Sequence, residues 1–262
     1  MTIVEALGSS SIDPREARLL LAAATGFSEA SVLAHPERQL PFQVEASFLE
    51  MTRRRAAGEP VAYILGHKEF YGLDLAVTPA VLIPRPETEL LVDLALARKP
   101  ASVVDIGTGS GAIALALKRH LPAARVVATD ASAAALEVAK RNAVRLALEI
   151  ELRHGRWFEP FAGERFEAII CNPPYVVADD PHLAELQYEP RFAIVAGADG
   201  LDAFRILARE APDHLLPGGW LLLEHGAGQH EAVRALLEAA GLETTESWPD
   251  LAGIPRVSGG KR

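Results

Sequence analysis

A strand, a glycine-rich turn and a helix follow one another without a break between residues 102 and 117, and this run constrains the fold more than any other part of the chain. Ser102-Val103-Val104-Asp105-Ile106 is short, apolar and rich in β-branched side chains, so it reads as a buried strand. Gly107-Thr108-Gly109-Ser110-Gly111 ends that strand, and Ala112-Ile113-Ala114-Leu115-Ala116-Leu117 has the composition of a buried helix. Comparable apolar runs recur at 125–129, 150–152, 166–170 and 220–224, separated by helical stretches such as 132–146 and 201–216. Alternation of this kind predicts an α/β fold in three layers, with a mostly parallel sheet and right-handed crossovers.

The first quarter of the chain is different. Residues 1–66 alternate helical patterns with short breaks and predict a small helical domain. Asp13-Pro14 followed by Glu16 can start one helix, and Leu40-Pro41 opens another with Phe42, Ala46, Leu49 and Arg53 at helical spacing. Residues 67–79 contain Glu69-Phe70-Tyr71-Gly72-Leu73-Asp74-Leu75, whose partial period-two alternation around a glycine predicts a hairpin linker. The α/β domain then occupies residues 80–262.

Ligands of open α/β sheets bind beyond the carboxyl ends of the strands, and three such ends carry suggestive residues. Gly107, Gly109 and Ala112 satisfy the relaxed fingerprint of a dinucleotide site, and a helix N-terminus follows them. The strand Arg125–Thr129 ends on Asp130, whose carboxylate can accept both hydroxyls of a ribose or can cap the next helix. The strand Phe166–Cys171 ends on Asn172-Pro173-Pro174-Tyr175. Two prolines forbid both helix and further ladder pairing, which leaves the asparagine projecting from a stiff turn. An amide oxygen and a proline carbonyl facing one small space suit a planar NH2 group.

Taken together, these features resemble the class I S-adenosylmethionine-dependent methyltransferases, and the Asn-Pro-Pro-Tyr turn narrows the resemblance to enzymes that methylate planar nitrogen. The segments Leu82-Ile83-Pro84-Arg85-Pro86-Glu87-Thr88-Glu89, Tyr188-Glu189-Pro190-Arg191, Gly200-Leu201-Asp202 and Pro217-Gly218-Gly219-Trp220-Leu221-Leu222-Leu223-Glu224-His225-Gly226 are similar to those of the HemK/PrmC family. The resemblance covers essentially the whole chain. It implies a Rossmann-like class I methyltransferase sandwich with an antiparallel pair, 243–247 and 256–258, at the sheet edge. It also implies S-adenosylmethionine as cofactor, S-adenosylhomocysteine as product, no metal, and a peptide chain release factor as protein substrate. The reaction is then transfer of methyl to N5 of the glutamine in the Gly-Gly-Gln loop, with the helical domain docking that substrate.

Residue by residue, the resemblance places Asp105, Gly107, Thr108, Gly109, Ser110, Gly111, Asp130 and Asn172 around the cofactor, with Trp157 on the adenine and Glu87 near the methionine end. Asn172, Pro173 and Tyr175 carry the chemistry. If Asn172 Oδ1 and the Pro173 carbonyl each accept one N–H, the glutamine nitrogen is oriented towards the methyl group, and no general base is demanded. Tyr175 either packs on the amide plane or is a plain core or lid aromatic. Pro174, Arg85, Glu189 and Arg191 border the substrate mouth, where Glu189 and Arg191 can pair with each other. One position departs from the family: Arg156 stands where an acidic residue often precedes the adenine-contacting aromatic.

Composition agrees. With 26 Lys and Arg against 35 Asp and Glu, the net charge of −9 disfavours a chain whose main work is gripping phosphates. The lone Cys171 lies in a core strand, which leaves neither a disulfide framework nor a zinc constellation. No basic leader and no apolar run of membrane-spanning length is present, so a soluble, cytoplasmic protein without a membrane partner is expected, and a monomer is the separate expectation for its assembly. Two other substrates share the catalytic features: a glutamine of a ribosomal protein, and adenine N6 of a nucleic acid. The acidic balance argues against the second. A dehydrogenase would leave the Asn-Pro-Pro-Tyr turn unexplained, and a non-catalytic adenosine-binding module would not need it.

Overall fold

The computed structural model describes residues 1–262, which fall into two compact units, Met1–His67 and Lys68–Arg262. The first unit holds α1 (Ile3–Ser9), α2 (Pro14–Thr25), α3 (Glu29–Ala34), α4 (Phe42–Ala56) and α5 (Val61–Leu65). At the start of α2 the Asp13 carboxylate accepts the N–H groups of Arg15 and Glu16, and Pro14 takes a position that needs no donor. Ile3, Leu20, Leu21, Val32 and Phe48 close the core. On α4 the structure corrects the apolar face suggested by Phe42 and Leu49. Those side chains are 78% and 47% exposed, and it is Phe48 and Thr52 that are buried. The helix carries two candidate stripes, and packing against α2 and α5 selects the second.

A hairpin follows, β1 (His67–Phe70) and β2 (Leu73–Ala76), all but its first residue belonging to the second unit. Tyr71 and Gly72 both have positive φ, as a two-residue hairpin turn requires. A short 3₁₀ turn, Pro86–Thr88, leads into α6 (Glu89–Arg98). Then follow β3 (Ser102–Ile106), α7 (Ala112–His120), β4 (Arg125–Asp130), α8 (Ala133–Leu146), β5 (Glu151–His154), β6 (Phe166–Cys171), α9 (Asp202–His214), β7 (Leu215–Glu224), α10 (His230–Ala239), β8 (Glu243–Pro249) and β9 (Pro255–Lys261). The seven-stranded sheet runs β5-β4-β3-β6-β7-β9-β8. Neighbours among the first five strands are parallel, while β9 is antiparallel to both β7 and β8.

Each central strand is apolar on both faces because both are covered. Val103, Val126, Ala128 and Ile170 pack with the α6 and α7 side chains Leu91, Val92, Leu115 and Leu117. Val104, Val127, Ile169 and Leu221 pack on the other side with Phe204 and Leu207 of α9 and Val233 of α10. Two boundaries differ from expectation. The helix placed at 201–216 stops at His214, and β7 starts at Leu215, which pairs with Phe166 across a bulge. Pro217-Gly218-Gly219 therefore lies inside a strand, because pairing with β6 carries the chain past residues that read as a break. Strand order reverses at β3, between β4 and β6, so the carboxyl ends of these three strands open the crevice that a doubly wound sheet offers a ligand.

Candidate active site

The crevice is a cavity of about 790 Å³. Its wall includes Gly107, Thr108, Gly109 and Ser110 after β3, Asp130 after β4, Arg156 and Trp157 after β5, and Asn172, Pro173 and Pro174 after β6. Arg85 and Thr88 close one side and Phe192, Val195 and Ala196 another. A mostly apolar enclosure of this size with a few convergent polar groups is what a cofactor-sized ligand needs.

The glycine-rich turn is held from beneath. Gly107 and Thr108 donate their N–H groups to the Thr129 carbonyl at 2.8 and 2.9 Å. Gly109 donates to Asp130 Oδ2 at 2.9 Å, while Asp130 Oδ1 accepts from Ser132 N at 2.8 Å. These donors are consumed inside the protein. A phosphate cradle instead leaves its N–H groups for the ligand. Asp130 is not the helix cap either, since the Ser132 side chain caps α8 by accepting from Ala135. Its carboxylate stands at the cavity wall, 8% exposed.

Two residues expected around the cofactor lie behind this surface. Asp105 is buried under the turn, with Oδ2 accepting from Thr108 Oγ1 at 2.6 Å and from Ala114 N at 3.2 Å, and with Oδ1 unpartnered. Gly111 has a positive φ, and a Cβ there would stand 3.0 Å from Leu115 Cδ1 and 3.3 Å from Ala139 Cβ. Its role is to let α7 pack close to α8. Trp157 does reach the wall, in a left-handed backbone conformation at φ 51°, with its indole Nε1 buried and unpartnered. The Arg156 guanidinium lies 5.9 Å from the Trp157 ring centre. That position offers no acidic group.

At the other end of the cavity Asn172 Nδ2 donates to Thr88 Oγ1 at 3.1 Å. Neither Asn172 Oδ1 nor the Pro173 carbonyl accepts a bond from within the chain. Tyr175, in contrast, does not border the cavity. Its ring packs beside the α9 core, its hydroxyl is 3.5 Å from Glu224 Oε1, and its carbonyl accepts from Gln229 Nε2 at 3.1 Å. Gln229 Oε1 also accepts from Gly226 N at 2.8 Å, so one side chain ties the loop after Tyr175 to the end of β7. Gly200 is needed at this junction. At φ 74° a Cβ there would collide with the Tyr175 carbonyl.

The expected pair between Glu189 and Arg191 is not formed. Glu189, with its side chain 3% exposed, is paired with Arg85 and accepts from Ile83 N at 2.9 Å. Arg191 reaches only the Ala178 carbonyl, at 3.4 Å. Glu189 thus holds the Ile83–Arg85 segment that closes the cavity, and neither it, Arg191 nor Glu87 is part of the wall. Four contributors were not named as site residues from the sequence: Thr88, Phe192, Glu224 and Gln229. Thr88 and Glu224 nonetheless lie in segments that carry the family resemblance, and Glu224 stands out as a charge directly after three leucines.

The methyltransferase small domain model matches residues 86–187 and the PrmC N-terminal domain model matches residues 3–66. Release factor glutamine methyltransferase of Bordetella pertussis is 48% identical over 99% of both chains. That of Pseudomonas aeruginosa is 49% identical over 94% of this chain and 91% of its own. The chain belongs to the release factor glutamine methyltransferase family. Among solved structures, a methyltransferase from Pyrococcus furiosus superposes with a TM-score of 0.58 at 20% identity, covering 81% of this chain and 98% of that one. The Thermus thermophilus 16S rRNA N2 G1207 methyltransferase in complex with AdoMet and guanosine gives 0.55 at 21% identity, over 75% of this chain and 49% of that one. Both establish the same fold. No helix of this methyltransferase is long and apolar enough to cross a membrane.

Three carboxyls around the site of this methyltransferase share one electrostatic sign. Burial pushes Asp105 up to about 7 and Glu224 up to about 7, and it also raises Asp130 against the N–H groups of Ser132 and Gly109. A carboxyl whose pKa is raised on folding binds more protons in the native state. Its contribution is complete at low pH and is lost as pH climbs through the folded value. For Asp105 the window runs from its ordinary 3.8 to about 7. Asp105→Asn is expected to remove up to about 1.4 kcal/mol per pH unit from the decline of stability across that window. Urea unfolding at a series of pH values measures the slope, and an unchanged slope would mean that Asp105 is ionised throughout.

Proposed function

We propose that this chain transfers a methyl group from S-adenosylmethionine to the side-chain amide nitrogen of the glutamine in the Gly-Gly-Gln loop of peptide chain release factors. The observation that carries the reading is the state of Asn172: its Nδ2 is engaged by Thr88, and Oδ1 remains free at the cavity wall beside the unbonded Pro173 carbonyl. Two vacant acceptors on a rigid turn match the two N–H bonds of a primary amide.

The cavity suits the cofactor. Asp130 is placed for ribose hydroxyls, the Trp157 ring for the adenine face, and the Gly107–Ser110 turn for close backbone approach. When bound, S-adenosylmethionine supplies an already electrophilic methyl group, so the protein's task is orientation and electrostatics. An amide nitrogen shares its lone pair with its carbonyl and is a poor nucleophile. Accepting both N–H bonds at Asn172 Oδ1 and the Pro173 carbonyl fixes the amide plane and raises electron density on nitrogen. Positioning of this kind is worth up to roughly 7–11 kcal/mol at its favourable limit. Tyr175 supports the turn from behind, anchored at Glu224 and Gln229. Arg85, held by Glu189, and Phe192, which is 61% exposed, border the mouth by which a protein side chain would enter.

Residues 1–66 supply nothing to the cavity wall and have their own core, while presenting Phe42 and Leu49 to solvent. This supports a docking role towards the protein substrate. The test is transfer from labelled S-adenosylmethionine to a recombinant release factor, followed by mass spectrometry. Label on the glutamine of the Gly-Gly-Gln loop is expected. Label on a ribosomal protein or a nucleic acid instead would overturn the substrate.

A further inference from the structure

A glutamine amide that reaches Asn172 fixes where the rest of its chain must lie. Four bonds separate the glutamine Cα from the amide nitrogen, and at ordinary bond lengths and angles they span about 5 Å. The substrate main chain therefore passes about one side-chain length outside Asn172, and the groups on the cavity rim meet the residues next to the glutamine. Of the large apolar side chains that the second unit leaves exposed, Val144, Phe192, Leu251 and Ile254, only Phe192 borders the cavity. A lone exposed aromatic on an outer surface needs no explanation, but one at 61% exposure on the rim of a site that admits a protein side chain does.

The backbone holds this residue in place from both sides. Before it, Glu189 accepts from Ile83 N at 2.9 Å, and Ala193 N donates to the Pro190 carbonyl at 2.9 Å across the short 3₁₀ turn Arg191–Ala193. After it, Val176 N donates to the Ile194 carbonyl, Ala196 N to the Val176 carbonyl and Ala178 N to the Gly197 carbonyl, each at 2.9 Å. Val176 directly follows Asn172-Pro173-Pro174-Tyr175, so Phe192 is tied to the acceptor turn rather than carried on a free loop.

We propose that Phe192 is a specificity-determining residue that reads the absence of a side chain next to the substrate glutamine. Its ring packs on the main chain of the glycine before the glutamine, an approach that glycine allows and a Cβ obstructs. The proposal rests on the release factor reading above, and it assigns the selection of that glycine to one residue of this chain. Phe192 touches the substrate but not the reacting atoms, so its effect falls on substrate binding.

The experiment crosses two enzymes with two substrates. The parent and Phe192→Ala are assayed for labelled methyl transfer to a recombinant release factor, and to the same factor with the glycine before the glutamine changed to alanine. Calorimetric titration of S-adenosylmethionine accompanies both. Against the unaltered factor, Phe192→Ala is expected to raise KM about tenfold with kcat and cofactor affinity within about twofold, as loss of an apolar contact made equally in ground and transition states does. The glycine-to-alanine change should lower kcat/KM about tenfold or more for the parent but less than about threefold for Phe192→Ala, because the obstruction has gone. An equal penalty in both enzymes, a KM within twofold of the parent, or a loss of cofactor affinity in place of the KM effect would overturn the proposal. If the parent labels the glutamine of the unaltered loop and Phe192→Ala behaves like the parent, only the role of Phe192 falls. If the parent leaves that glutamine unlabelled, the substrate reading falls with it.

Discussion

Asn172→Ala is expected to slow the methyl-transfer step by about 10²-fold or more while leaving the affinity for each substrate within a few-fold, by analogy with removal of one preorganised polar contact in other active sites. The truncation deletes Oδ1, one of the two acceptors left free at the end of β6, and the Pro173 carbonyl by itself cannot define a plane. The turn itself should survive, because Pro173 and Pro174 set its backbone and Gln229 still holds the Tyr175 carbonyl at 3.1 Å. Loss of the 3.1 Å bond leaves the buried Thr88 hydroxyl one partner short, so a cost of about 1–3 kcal/mol in stability is expected as well. Single-turnover kinetics at saturation isolates the chemical step. A rate within a few-fold of the parent would reduce Asn172 to a turn former.

Asp130→Ala is expected to weaken S-adenosylmethionine binding by roughly 1–3 kcal/mol, the cost of leaving hydrogen-bonded polar groups without a partner. The structure adds a second consequence. Both carboxylate oxygens are bonded to backbone, Oδ2 to Gly109 N and Oδ1 to Ser132 N, so the side chain splints the glycine turn to the start of α8. The alanine variant should therefore also lose thermal stability, whereas Asp130→Asn, which retains one acceptor, should lose less of both. Calorimetric titration alongside thermal melts distinguishes the two roles. Unchanged cofactor affinity in the alanine variant would remove Asp130 from the pocket, and a loss of stability alone would leave it only a splint.

The difference between what could be read along the chain and what could not follows the range of the interactions. Apolar runs mark the strands because burial on both faces of a parallel sheet demands them, and this is a local property of Val103–Ile106 or Ala168–Cys171. The left-handed turn at Gly107 and Gly109 and the stiff turn after Asn172 are likewise written in single residue types. Strand ends then bring Gly107, Asp130, Trp157 and Asn172 to one cavity by topology alone.

Partner choice is a different matter. Glu189 could pair with the nearby Arg191 as far as its neighbours in sequence tell, yet it reaches Arg85 across 104 positions, because the buried acid is supplied a guanidinium and the Ile83 N–H together. Asn172 meets Thr88 across 84 positions, and Tyr175 turns away from the cavity to meet Glu224 across 49. On α4 two stripes were possible, and only packing against α2 and α5 buries Phe48 rather than Leu49. The chain's own residue types thus determined the fold, the crevice and the acceptors that line it. Which buried charge holds which loop was decided only by the folded structure, since a desolvated polar group takes whatever partner the packing brings within reach, at any separation along the chain.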